Sequence, residues 1–284
     1  MEQALIEVHD LHYTYMRGTP LETTALCGVD FSVFAGEIVG VIGPTGSGKS
    51  TLLQHLNGLL RPQRGTVRVF GQDLSNPRVD LRAIRRRVAL LFQNPEDQLF
   101  ERYVADDVAF GPLNLGLPLE EVRARVRRAM EAAGLPPSFE NRLTWALSAG
   151  ERRRVALAGV LALEPEVLVL DEPLAGLDPR GRRELAALLR GWQRQERRAV
   201  VWASHSMEEI AGLADRVYVL AEGRVVLEGP TRQVFAQGEV LARWGLEVPA
   251  VTQMLVELAR AGLPVRPTAL TLEEALPLLE EVLR

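Results

Sequence analysis

Gly43-Pro44-Thr45-Gly46-Ser47-Gly48-Lys49-Ser50 is the stretch on which the reading of this chain turns. Glu37-Ile38-Val39-Gly40-Val41-Ile42 precedes it and reads as a short strand, and Ser50-Thr51-Leu52-Leu53-Gln54-His55-Leu56 follows as a helix. A G-x-x-x-x-G-K-[ST] segment in that strand–loop–helix setting is a phosphate-binding loop. Its small and cyclic residues let the backbone curl close to an anion, with N–H groups turned inward as a nest. The helix beginning near Gly48 aims its positive end at the same point. Lys49 offers a compact charge between β- and γ-phosphates, where a guanidinium fork is too wide. The Ser50 hydroxyl is placed to reach Mg2+. Of the 33 Lys+Arg residues, Lys49 is the only lysine. A composition that uses arginine everywhere else and keeps lysine here points to a chemical demand that arginine does not meet.

The 284 residues have room for one large domain or two, and a hydrophobic fraction of 47% is enough for a sizeable core. A net charge of −4 speaks against a basic nucleic-acid binder. The arginine-rich stretches 82–87, 123–128 and 152–154 are interspersed with apolar and acidic residues and read mostly as solvated helix faces. Cys27 is the only cysteine, so no intrachain disulfide forms and a reducing cytoplasm is the expected compartment. Met1 to Leu5 does not read as a signal peptide. The longest apolar run near the middle, Val155 to Leu163, is far short of the ~20 residues a bilayer span needs. Any membrane role is therefore expected through partners.

Strands are expected at Leu5–Val8, Leu11–Tyr15, 26–34 and 37–42. Gly65–Gly71 alternates and ends in a turn, as an edge strand does, whereas Val88–Phe92 is a continuous apolar run of the buried kind. Residues 94–147 show no strong strand and at least one clear helix, the amphipathic Leu119–Ala133, ending at Gly134. They read as a helical insertion. The α/β pattern resumes with strand Val167–Leu170, a helix over Arg180–Gln195 and strand Ala199–Ala203. A hairpin follows around Glu222-Gly223, and residues 231–284 form a helical tail broken at Pro249, Pro264 and Pro267. Strands alternating with helices imply a mainly parallel sheet.

Strand 167–170 ends in Asp171-Glu172, and the carboxyl end of a buried strand is where an α/β sheet builds its site. Asp171 is suited to hold Mg2+ and Glu172 to act as general base toward the attacking water. Ser148-x-x-Glu151 before an apolar run is a capping box. The same turn, with Gly150, is also an anion site that in a dimer faces the γ-phosphate held by the partner. Gln93 follows strand 88–92 and is placed to reach Mg2+ and the water; His205 follows strand 199–203 and is placed toward the γ-phosphate; Tyr15 is suited to stack on adenine. Taken singly, Gln93 reads equally as a turn residue, His205 as a helix cap and Tyr15 as core or surface.

The order of these features over residues 5–230 resembles the ATP-binding cassette (ABC) ATPases. Tyr15 matches the family's aromatic loop, Gly43 to Thr51 its phosphate loop, Gln93 its glutamine loop and Leu147-Ser148-Ala149-Gly150-Glu151 its signature. Asp171-Glu172 matches the acidic strand end, Ala175-Gly176-Leu177-Asp178 the aspartate loop and His205 the switch histidine. A narrower resemblance is to the energy-coupling factor (ECF) type of importer ATPase, a group that includes cobalt and nickel uptake ATPases. It is carried by Gln93 to Phe100, Asp107 to Leu117, Arg153 to Ala162 and the tail around Gly245 to Pro249.

The resemblance implies a P-loop NTPase (RecA-like) core with an antiparallel β subdomain. It implies an ATP-binding domain over 5–243 with a helical subdomain at about 94–150, and a helical extension over 244–284 that meets a second ATPase subunit. ATP and Mg2+ would be held by Tyr15, by Gly43, Pro44, Thr45, Gly46, Ser47, Gly48, Lys49, Ser50 and Thr51, and by Gln93 and Asp171. Ser148 and Gly150 would face the partner's ATP, and Asp178 would communicate across the dimer. The implied partners are a second ATPase subunit (a copy or a paralogue), a transmembrane coupling subunit met near the segment after Gln93, and a membrane-embedded substrate-binding subunit. The implied work is import of a vitamin or transition-metal ion from the cytoplasmic face of the membrane.

Three positions depart from the family pattern. Ala149 stands where glycine is usual, Leu174 where threonine is common and Glu151 where glutamine is common. Ala149 and Leu174 support the alternative of a weakly active or regulatory partner subunit; Lys49, Asp171, Glu172 and His205 together oppose it. A DNA-repair or ribosome-associated cassette protein is disfavoured by the net charge and the lack of a coiled coil or basic arm. Lys49→Arg keeps the charge and follows the chain's own preference, yet a steady-state assay should show ATP hydrolysis crippled. A wild-type rate would make the lone lysine an accident of composition.

Overall fold

Four apolar runs decide the centre of the fold, because their alternate residues sort into two cores. In β3 (Ile38–Ile42), Val39 and Val41 join one core, while Ile38 and Ile42 join the other. The same split occurs in β6 (Val88–Leu91), β7 (Val167–Asp171) and β8 (Ala199–Ala203). A strand buried on both faces has no polar alternation, which is why these stretches read as continuous apolar runs. The computed structural model describes residues 3–94, 98–195 and 198–283.

The six-stranded sheet has the order β10-β9-β3-β8-β7-β6. Strands β3, β6, β7, β8 and β9 (Arg216–Ala221) pair in parallel; β10 (Arg224–Pro230) returns antiparallel through a turn at Glu222-Gly223, both at positive φ. That two-residue turn matches the twist of the strands, as expected for the hairpin. A second, antiparallel sheet has the order β2-β1-β4-β5, from β1 (Ile6–Tyr15), β2 (Thr23–Val33), β4 (Arg64–Val69) and β5 (Gln72–Asp73).

Two expectations need correction here. The segments 5–8 and 11–15 form one strand, because register shifts around Asp10 let the chain bend without leaving the sheet. Gly65–Gly71 is not an edge strand: β4 lies between β1 and the short β5, which pairs at Arg68 and Val69.

The helix α1 (Lys49–Leu56) packs Leu52, Leu53 and Leu56 into the core between the two sheets. A short α2 (Leu81–Arg87), capped by Asp80, leads into β6. The opposite face of the six-stranded sheet carries the larger core. It includes residues of α3 (Val104–Asn114), α4 (Leu119–Ala132) and α5 (Ala149–Leu161), which lie against one another. Residues of α6 (Pro179–Arg194) and α7 (Met207–Leu213) pack there too. In the tail, α8 (Thr231–Phe235) and α9 (Gly238–Arg243) belong to that core through Val234, Phe235 and Leu241, and Leu246 joins them. By contrast, α10 (Ala250–Arg260) and α11 (Leu272–Leu283) share a small separate core of Leu255, Val265, Ala269 and Ala275. Among the described residues no helix is long and apolar enough to cross a membrane.

Leu53 is fully buried, whereas Leu59 is 45% exposed. Chemical denaturation should show Leu53→Ala costing about 2–5 kcal/mol. Leu59→Ala should stay within about 0.5 kcal/mol of the native chain.

Candidate active site

Because β3, β6, β7 and β8 run parallel, their carboxyl ends lie along one edge of the sheet. The phosphate loop leaves β3, Glu172 follows β7, Ser204 and His205 follow β8, and Gln93 follows β6. Residues scattered from 43 to 205 in the chain thus share one edge, at the position where such sheets bind ligands.

The loop itself is held by main-chain contacts. At Gly43 a Cβ would lie 2.0 Å from the Leu220 carbonyl oxygen, and at Gly48 (φ +102) a Cβ would lie 2.5 Å from that of Ala25. No other residue fits either place. The Gly223 N–H donates to the Ser47 carbonyl at 3.1 Å, so the hairpin turn braces the loop from the side. No side chain caps α1, which leaves its first-turn N–H groups free of an internal acceptor. That is the geometry of an anion cradle.

Lys49 is buried and donates to the carbonyls of Gly43 (2.8 Å) and Pro44 (3.0 Å). Burial holds its pKa below the usual lysine value, against the pull of Glu172 and Asp171. Ser50 hydrogen-bonds the Asp171 carboxylate, whose pKa burial pushes upward. Burial, then the neighbouring Asp171 charge, pushes the Glu172 carboxyl up to about 7. Glu172 Oε1 is buried, lacks a hydrogen-bond donor and faces His205 Nε2 at 3.3 Å. Burial, then the Lys49 charge, keeps the His205 pKa below the usual value. A carboxyl titrating near neutrality, with one oxygen unpartnered beside a phosphate cradle, is suited to take a proton from water.

Tyr15 is 37% exposed, and its hydroxyl meets Thr51 Oγ1 at 3.1 Å. Its ring lies edge-on to Tyr13, which is edge-on to His55 beneath. The Gln93 side chain is exposed at the end of β6; Pro95, Glu96 and Asp97 of the run that follows lie outside the described residues. Ser148 caps α5 in the expected capping box: its hydroxyl accepts from the Glu151 N–H, and the Glu151 carboxylate accepts from the Ser148 N–H. Arg142 also donates to Glu151, which offsets the extra negative charge there. Ala149 is the first helical residue and is exposed, so its methyl meets no obstacle within the chain. Asp178 caps α6 through the Gly181 N–H at 2.7 Å. The N-cap of α7 is Ser206 rather than His205, which leaves the imidazole to the site.

Sequence reasoning missed one buried and one half-buried residue. Arg153 is only 8% exposed, which corrects its reading as part of a solvated arginine face. Glu209 is the other; it accepts from the Ser204 hydroxyl at 2.7 Å, and burial raises its pKa. Neither shows its surroundings in the sequence, since both look like ordinary helix-surface charges. Arg125, also read as solvated, keeps a largely covered side chain paired with Glu121 and Glu164.

This architecture and cradle define an ABC-type ATPase. Residues 26–175 match the ABC transporter family. The EcfA2 energy-coupling factor transporter ATP-binding protein of Caldanaerobacter subterraneus is 46% identical over 270 residues, 95% of this chain and 94% of its own. Among solved structures, cbiO1 from Clostridium perfringens, part of the ABC transporter complex cbiONQ, superimposes with TM-score 0.76 at 36% identity. That match covers 92% of this chain and 99% of cbiO1. The cassette MJ0796, solved as a dimer in a post-hydrolysis state with ADP and Pi, gives TM-score 0.73 at 27% identity over 80% of this chain and 99% of its own. The chain belongs to the ABC transporter family, within the ATP-binding proteins of ECF type. It is an ATPase whose hydrolysis is coupled to transport.

The folded Glu172 pKa of about 7 lies above the usual glutamate value of 4.5. The folded state therefore binds this proton more tightly, and stability falls as pH rises between those values. Replacing the carboxyl by an amide removes that loss. Glu172→Gln should unfold later than the native chain at pH 8, by about 2–3 kcal/mol in denaturant titrations, with the gap largely closed at pH 5.

Proposed function

We propose that the chain binds Mg-ATP at the β3–β8 edge and hydrolyses it with Glu172 as general base, in a head-to-tail dimer that closes on ATP and reopens after hydrolysis. The observation that carries this reading is the buried, unpartnered Glu172 oxygen beside His205 and the Lys49 loop. In this reading Tyr15 lies against adenine, and Gly43 to Thr51 wrap the phosphates. Lys49 exchanges its two loop carbonyls for phosphate oxygens. His205 contacts the γ-phosphate and steadies Glu172.

Ser50, Asp171 and Gln93 offer hard oxygen donors, and the Ser50–Asp171 hydrogen bond holds two of them together. Among the described residues no group of three or more His, Cys, Asp or Glu is placed to hold a metal ion. Few protein ligands, completed by phosphates and water, is the arrangement Mg2+ prefers. When bound, Mg2+ supplies charge neutralisation on the β- and γ-oxygens. Glu172 takes the proton of the attacking water and is restored by solvent when the site reopens.

Ser148 and Gly150, at an accessible helix start, meet the ATP of the second subunit, and Asp178 sits nearby as a communicating residue. That subunit is a copy or a paralogue. The remaining partners are a transmembrane coupling subunit near the segment after Gln93 and a membrane-embedded substrate-binding subunit, which hold the chain at the cytoplasmic face of the membrane. The transported substrate is a vitamin or transition-metal ion. Residues 5–243 act as the ATP-binding domain, with its helical part at about 94–150, and 244–284 as an extension toward the second ATPase. The separate core of α10 and α11 supports that division, while Leu246 on the larger core makes the join continuous.

Glu172→Gln should lose about 100-fold or more in kcat while still binding nucleotide. On size exclusion with Mg-ATP it should run at twice the 31.4 kDa of one chain. An unchanged rate would overturn the role of Glu172. A monomer that dimerises only with a co-expressed paralogue would favour the heterodimer.

A further inference from the structure

Glu172 has φ +50, in the left-handed region that a residue with a side chain seldom occupies. Such a conformation persists only where the surroundings hold it. Its N–H donates to the Ala203 carbonyl at 3.0 Å, which ties it to the end of β8. Its own carbonyl accepts from the Ala175 N–H at 3.2 Å and from Arg153 Nη1. The other terminal nitrogen of the same guanidinium, Nη2, donates to the Gln93 carbonyl at 2.9 Å. One buried arginine thus spans the ends of β7 and β6, the two strands that deliver Glu172 and Gln93.

Arg153 lies on α5, one helical turn after Ala149 and the capped Ser148. The helix between them is rigid on the scale of a turn, and its following residues Val155 to Ala158 are buried in the core. A planar fork with fixed donor spacing can hold two carbonyls at once; an ammonium on a flexible stem cannot fix their separation.

We infer that Arg153 is a positioning residue, which holds the main chains of Glu172 and Gln93 in register and joins them to the helix start that carries Ser148 and Gly150. A displacement of that helix start is passed through one turn of α5 to the peptide that aims the Glu172 carboxylate. The inference rests on the reading of Glu172 as general base and adds to it a mechanical link from the signature turn within the same chain.

The test compares Arg153→Met, Arg153→Lys and Glu172→Gln, and the Met variant combined with Glu172→Gln, in the full-length chain. Nucleotide affinity is measured with a fluorescent ATP analogue, and hydrolysis in both steady-state and single-turnover assays. Arg153→Met should lower kcat about tenfold or more, with nucleotide affinity within about twofold of native. Arg153→Lys, which keeps the charge and one donor at a time, should recover only part of the loss. In the Glu172→Gln background, Arg153→Met should add less than about a twofold further loss, because both act through one group. A native kcat in Arg153→Met overturns the inference. So do equal losses of affinity and kcat, or losses that multiply in the double variant. Should the Met variant fail to fold, Arg153→Lys decides alone: a lowered kcat at native affinity supports the inference, and a native kcat overturns it. If Glu172→Gln hydrolyses at the native rate, the general-base reading fails; if Glu172→Gln is inactive and Arg153→Met is native, only the role of Arg153 fails.

Discussion

The contact on which the rest of this structure depends is made by backbone alone. The Gly43 Cα packs against the Leu220 carbonyl and the Gly48 Cα against that of Ala25, with no room for a Cβ at either place. Leu220 lies one residue before the end of β9 in the six-stranded sheet, and Ala25 belongs to the antiparallel sheet. The turn residue Gly223 joins them further, giving its N–H to Ser47 and its carbonyl to the Cys27 N–H. The phosphate loop is therefore the joint between the two sheets as well as the cradle. The geometry of the cradle and the stability of the fold share the same atoms, so neither can drift without the other.

That joint encloses charge. Lys49, Asp171 and Glu172 are all buried, and burying an ionised group is costly unless it is paired. The chain resolves this unevenly. Lys49 and Asp171 hydrogen-bond within the loop and to Ser50, while one Glu172 oxygen keeps no donor. Two adjacent carboxyls thus sit in different surroundings, a separation typical of sites that do proton chemistry near neutrality. The left-handed backbone of Glu172 stores further strain at the same residue. Stability is given up at the residue proposed as the general base.

Much of this was legible because the signals are local. The Gly43–Ser50 spacing needs no partner to be recognised, since the loop and helix start lie within a few residues. The buried strands stood out as apolar runs because both their faces are covered. The Ser148–Glu151 box and the Glu222-Gly223 turn are closed by neighbours three or fewer residues apart. Elements set by distant neighbours read less well. β4 looked like an edge because the two-residue β5 that flanks it carries no strand pattern. The bend near Asp10 looked like a break in β1, although pairing continues on both sides.

By itself the sequence determined the phosphate loop, the acids at the end of β7, the paired capping residues and the alternation of strands and helices. It did so because each is written in residues adjacent in the chain, or in a periodicity that a single element imposes. Only the tertiary structure decided that Arg153 is buried, that Glu209 is half-buried and that Arg153 reaches two carbonyls 19 and 60 residues away. It alone set the unpartnered Glu172 oxygen against His205. A charged helix residue looks the same in sequence whether it faces water or a strand end. Which one it meets is settled by how parallel strands order themselves in the sheet, and that order depends on contacts between segments far apart in the chain.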